Sequence, residues 1–154
     1  MAEIPVISSH ILHGIPDFVR REVGAKALLH ANRAAGFDLE LVEGRNCFIP
    51  HAAVLGFVNA AARVAGEQNL GVLMAPQMDA ANYGSYGHYV IGADTLGESI
   101  GRAISALRFH STADRMAIDI IGDEVRYGYR FALAGRDGYE MIASAAAGVL
   151  LSVF

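Results

Sequence analysis

Charge is scarce in this sequence: Asp, Glu, Lys and Arg make up 18% of its 154 residues, against 53% apolar residues. Such a chain is short of solubilising surface, which points to a compact globule with a buried partner interface. The few basic residues are scattered and the net charge is -4, which excludes nucleic-acid binding through a basic patch. Lysine occurs once, at Lys26, with arginine as the other basic residue throughout. With abundant alanine, that bias is typical of a GC-rich bacterial genome and carries no information on fold. Cysteine also occurs once, at Cys47, so a disulfide framework is excluded and a reducing compartment fits best. No Cys–His motif flanks it, and it reads as a small buried hydrophobe.

Long apolar runs are missing too. The stretch from Met141 to Phe154 is too short to span a bilayer and is broken by Ser144, Gly148 and Ser152. The N-terminus carries Glu3 and no apolar run of signal-peptide length. These absences lead to the expectation of a cytoplasmic protein with no membrane partner. There is no internal repeat, low-complexity tract or linker, so residues 1–154 read as a single domain. At this length roughly 70% of the unfolded surface can be buried, so no staple is needed.

What is present is mostly helical. Pro16 suits a first helical position, and the run to Gly36 reads as one helix with glycine at its C-terminal cap. Pro50 opens a second helix in which Val54, Leu55, Val58, Ala61, Ala62 and Ala65 follow helical spacing, ended by Gly66. N-L-G-V-L-M reads as a short apolar turn before Pro76. Thr95 and Glu98 form a T-x-x-E box that starts a further helix, with Leu96, Ile100, Ala103, Ile104 and Leu107 on one face. On that helix Gly97, Gly101 and Ser105 make a small-residue stripe. The stripe is expected to let a backbone of the same domain approach closely. Gly84 and Gly87 are expected to do the same among the tyrosines.

The period changes to two after His110. Met116, Ile118 and Ile120 alternate with Ala117, Asp119 and Ile121; Gly122 and Asp123 turn the chain; Val125, Tyr127 and Tyr129 alternate with Arg126, Gly128 and Arg130. That is an antiparallel hairpin. A last apolar helix follows from Tyr139. A lone hairpin is marginal by itself, so a larger sheet is expected, its missing strands belonging to a longer polypeptide of which this chain is a part. The fold class is therefore α+β, a helical N-terminal part packed on a small antiparallel sheet, truncated at the C-terminus.

The order of these blocks carries a resemblance. I-P-H-A-A-V-L-G-F-V-N-A-A-A-R-V-A-G, N-L-G-V-L-M, Y-G-S-Y-G-H-Y-V, D-T-L-G-E-S-I-G-R-A-I and the G-D-E-V-R-Y-G-Y-R-F hairpin together resemble one family. It is the N-terminal arabinose-binding-type effector and dimerisation domain of AraC-type transcription regulators, in the variant found in ornithine-utilisation-type regulators. The likeness runs from about Ile15 to Tyr139 and rests on order and spacing, since no single motif is diagnostic. It implies a small-molecule sensor that forms a homodimer. It also implies that DNA is gripped by a helix-turn-helix region absent from this chain.

Candidate site residues follow from chemistry. Tyr83, Tyr86 and Tyr89 recur every third residue and would share a helical face, presenting aromatic bodies with hydroxyl tips to an organic effector. Tyr127 from the hairpin joins them. His110, near a helix carboxyl end, would be favoured in its protonated form there. Arg130, on the same hairpin face as Arg126, could fork onto a carboxylate effector. Ordinary core tyrosines, a helix-terminal histidine and a solvated strand face are the competing readings. His10 and His13 stand three apart with no third ligand nearby, so no metal site is expected.

Catalysis finds no support. G-S-Y-G lacks the G-x-S-x-G elbow, Asp123 and Glu124 occupy a turn, and no glycine-rich phosphate loop follows a strand. The chain is thus expected not to be an enzyme and to need no cofactor. The alternative is a free-standing small-molecule sensor without a DNA role. Haem is a weaker version of it, because in Y-G-S-Y-G residue Gly87 stands where the haem sensors' Tyr-x-Ser-x-Arg motif has arginine.

Overall fold

In the computed structural model, which describes residues 3–154, an extended N-terminal strand β1 (Val6–Ser8) leads into the first helical segment. The helix expected from Pro16 to Gly36 is in fact broken. Helix α1 (Ile15–Phe18) widens into a π-helical turn over Val19–Val23, and α2 (Ala25–Ala35) starts afresh after Gly24. The break lies at Gly24, whose φ of +115° has no place in a helix and which only glycine adopts without strain. Gly36, in the left-handed conformation, accounts for the stop of α2.

Strand β2 (Phe48–Pro50) pairs antiparallel with β1, Ile7 opposite Ile49. The N-terminal segment is therefore woven into the fold, which its sequence did not announce. Helix α3 (His51–Ala65) follows directly, as expected, and lies along α2. Gly56 permits the approach, since a β-carbon there would lie 2.8 Å from the Ala34 carbonyl oxygen. N-L-G-V-L-M is a helix, α4 (Leu70–Met74), and no turn. Its Gly71 faces the Met141 carbonyl, while Gly148 faces the Ala75 carbonyl, each too closely for any side chain. These two contacts clamp the last helix, α7 (Tyr139–Leu151), onto α4.

Between these lie α5 (Gly84–Ile91) and α6 (Leu96–Ala106). The N-terminal cap of α6 forms as read: the Glu98 N–H donates to Thr95 Oγ1 at 3.2 Å. The Glu98 carboxylate reaches one residue further back, to the Asp94 N–H. The hairpin pairs β3 (Arg115–Ile121) with β4 (Glu124–Arg130), Met116 opposite Tyr129 and Ile118 opposite Tyr127. The fold is α+β. No larger sheet exists among the described residues; the two antiparallel pairs are separate. What supports the hairpin is packing at its base, where Met116, Tyr127 and Tyr129 cover an internal cavity. Its tip leaves Ile120 and Val125, a cross-strand pair, exposed.

Candidate functional site

The site grows from the segment between α6 and β3. The His110 carbonyl accepts the Ser8 N–H at 2.7 Å and the His110 N–H donates to the Leu107 carbonyl at 2.8 Å. Ile7 bridges to Ser111. Strand β1 thereby holds His110 in place from one side. From the other, Asp79 caps a 3-10 turn, its carboxylate accepting the Ala81 N–H at 2.8 Å, and this turn delivers Tyr83 to the start of α5. Tyr86 follows one turn on.

His110 stacks on both rings, 5.1 Å from Tyr83 and 4.7 Å from Tyr86, each within 18° of parallel. All three side chains are largely buried. Burial pushes the His110 imidazole down to about 3, helped by the nearby His10 and His51. That corrects the expectation of a protonated ring favoured by the helix end: desolvation outweighs the terminal carbonyls, and the ring is neutral. Burial also raises the phenols of Tyr83 and Tyr86 well above their ordinary value.

The stack is a wall with two sides. Inside lies a cavity of about 50 Å³, lined by Ile100 and Ala103 of α6, Met116 and Tyr127 of the hairpin, and Val149 and Leu150 of α7. Outside lies an open cleft of about 530 Å³ that also meets His10, Asn46, Tyr89, Ser105 and Arg108. Tyr83, Tyr86 and His110 line both. The Tyr86 hydroxyl donates to the Ala103 carbonyl at 3.1 Å, fixing α5 to α6.

The sequence-derived candidates are thus partly gathered. Tyr83, Tyr86 and His110 form the wall and Tyr127 faces the inner cavity. Tyr89 is half exposed at the cleft, its ring under the Arg102 guanidinium at 5.1 Å. Arg130 lines neither space; it sits exposed on β4 opposite Arg115. Gly87 packs against the Ala80 carbonyl, and Gly84 against the His10 imidazole. The stripe on α6 needs correcting: a β-carbon at Gly97 or Gly101 would meet nothing, so no backbone of this domain packs there. The apolar face of α6 points the other way, through Ile100 and Ala103.

A second cluster escaped the sequence reading. His51, Ser111 and Asp114 are each at most 2% exposed. His51 Nε2 lies 3.0 Å from Ser111 Oγ and 3.5 Å from Asp114 Oδ1. Asp114 also accepts the Ala132 N–H at 2.8 Å and the Tyr129 hydroxyl. Serine and aspartate address the same imidazole nitrogen, whereas a nucleophile relay needs them on opposite ones. The cluster is a clamp joining the start of α3, the head of β3 and the end of β4. A signal existed only in residue types, spread over more than sixty positions.

Among the described residues no group of three His, Cys, Asp or Glu side chains gathers as metal ligands would, and no helix is long and apolar enough to cross a membrane. An aromatic wall between a small apolar cavity and a wider polar cleft, on an α+β scaffold, has the concave, mostly apolar form of small-molecule sites. Residues 27–154 match the family described as the N-terminal arabinose-binding domain of AraC transcription regulators. The chain belongs to that family. Its members are ligand-binding regulatory domains of transcription regulators. No curated protein matches the chain.

Proposed function

We propose that this chain is the sensing and dimerising part of a bacterial transcription regulator, and that its effector binds against the Tyr83–His110–Tyr86 wall. DNA binding then belongs to a helix-turn-helix region outside this chain, and the protein works in the cytoplasm as a homodimer. One observation carries the reading: the same three rings face both the cavity and the cleft. A molecule on either side therefore changes the surroundings of the other side, and of α5, α6 and the segment anchored on β1.

The mechanism is a population shift. The effector favours one arrangement of the two protomers, and so one spacing of the DNA-binding helices. For a useful response it must prefer that arrangement by a coupling on the order of 1–3 kcal/mol. Single domain organisation of residues 1–154 is part of the same proposal.

The test is a promoter-reporter assay with the full-length regulator, using molecules chosen from a thermal-shift screen of this chain. Tyr86→Phe removes the hydroxyl that ties α5 to α6, and His110→Phe keeps the stack but removes the imidazole nitrogens. Both should shift the effector concentration needed for half response. A response curve identical to the parent's in both variants would remove the wall from the sensing role.

A further inference from the structure

The hairpin leaves one edge of the fold open. Strand β3 has α6 beside it, whereas β4 pairs with no strand but β3 among the described residues. The two-residue loop of Gly122 and Asp123 makes Ile121 and Glu124 a hydrogen-bonded pair, and such pairs alternate from there along the ladder. The backbone groups of Glu124, Arg126, Gly128 and Arg130 therefore turn towards β3. Those of Val125, Tyr127 and Tyr129 turn outward, and none of them has a backbone partner among the described residues. Neither proline nor bulge interrupts this edge, so it is ready to pair.

The charges on β4 are unbalanced in a matching way. Arg130 stands opposite Arg115, an unfavourable like-charge pair, and has no ion-pair partner among the described residues. At the other end of the strand Glu124 reaches only Arg126, 3.7 Å away, with both side chains largely exposed.

We propose that β4 pairs antiparallel with β4 of a second copy of this chain, joining two hairpins into one four-stranded sheet with its two-fold axis at Tyr127. In that register the outward groups of Val125, Tyr127 and Tyr129 meet the same set on the partner. Val125 then lies opposite the partner's Tyr129, a favourable β-branched and aromatic pair, and Glu124 opposite the partner's Arg130 at both ends. A slip of one residue sets outward groups against inward ones and turns each side chain to the wrong face. A slip of two sets Arg126 opposite the partner's Arg126 or Arg130. The charges thus select one register. The exposed Val125 at each tip gains the partner's hairpin base, where Tyr129 is anchored on Asp114. Four strands also remove the marginality of a lone hairpin. Tyr127 and Tyr129 line the inner cavity as well, so the sheet would join the sensing wall of one protomer to that of the other.

The inference deepens the homodimer reading above and rests on it, and the two can fail separately. Sedimentation equilibrium is run on the 154-residue chain and on the full-length regulator. Glu124→Arg and Arg130→Glu should each weaken dimerisation about tenfold, since each turns two attractive pairs repulsive. Combined, they should restore it to within about twofold. Urea midpoints should be the same in all three variants, which separates association from folding. Arg126→Cys together with Gly128→Cys, in a Cys47→Ser background, should cross-link two copies, because residues opposite each other in such a pair lie about 4.5 Å apart. A dimer that ignores both charge reversals, or one that the combined variant does not restore, overturns this interface and leaves the homodimer standing. A monomeric full-length regulator overturns both. Cross-linking in the 154-residue chain but not in the full-length regulator overturns the interface too, and shows that β4 is covered there by other strands of the same polypeptide.

Discussion

The imidazole of His110 lies against the ring of Tyr86 with centroids 4.7 Å apart and planes 16° from parallel. A charged imidazole is excluded from such a place by desolvation, and His51, buried beside Phe131, is lowered for the same reason, with Asp114 opposing. In the unfolded chain both rings titrate near 6.5. Below that pH the unfolded state binds more protons than the folded state. For His110 stability is therefore complete above about 6.5 and is lost as pH falls towards about 3, by up to about 1.4 kcal/mol per unit, and His51 adds a loss of the same sign. Urea unfolding at pH 7.5 and pH 5 measures the loss. His110→Phe should shrink it, and an equal loss in parent and variant would show that His110 titrates normally.

Asp114 is the most heavily used carboxylate of the fold, serving Ala132, Tyr129 and His51. Asp114→Ala leaves a buried N–H and a buried hydroxyl without partners. It should destabilise the domain by about 2–4 kcal/mol, read as a lower urea midpoint. Asp114→Asn keeps one acceptor oxygen for the Ala132 N–H and turns its amide NH2 towards the Tyr129 hydroxyl, which can accept instead of donate, so it should cost less. Equal losses for the two variants would mean that the charge, and not the hydrogen bonding, matters.

Glycines on neighbouring helices should respond in opposite directions. Gly101→Ala places a methyl in open space on α6 and should stabilise by about 0.5–1 kcal/mol through helix propensity. Gly148→Ala drives a methyl into the Ala75 carbonyl and Gly71→Ala one into the Met141 carbonyl. Both should lower the melting temperature by separating α7 from α4. A destabilised Gly101→Ala variant would indicate that a second protomer covers that stripe.

Ile120 is 74% exposed beside Val125. Ile120→Lys should change unfolding free energy by no more than about 0.5 kcal/mol, as surface substitutions do. If protomers pair through the hairpin face, sedimentation should show weaker self-association. Unchanged association would move the dimer contact elsewhere.

The helices were legible where a local signal is strong. Pro50 and Gly66 bracket α3, and Thr95 with Glu98 opens α6, because capping satisfies backbone groups within a few residues of the residue concerned. The hairpin was legible through strict alternation about Gly122 and Asp123. Gly24 was missed as a break because A-K-A-L-L-H continues helical spacing on its far side, and only the backbone angle reveals the interruption. The α6 stripe misled for a related reason. Small residues permit close approach but do not compel it, and α6 turns Ile100 and Ala103 inward, leaving Gly97 and Gly101 outside.

Element type and the apolar faces of α3 and α6 were written in the order of residues, since both depend on neighbours three or four positions away. So was the aromatic character of the α5 block. Which tyrosines reach His110, that Arg130 stays outside, and that His51 meets Asp114 across more than sixty residues were decided only by how β1, α3 and the hairpin base come together. Burial then set the charge state of His110, because desolvation is a property of the assembled surroundings and no residue carries it alone.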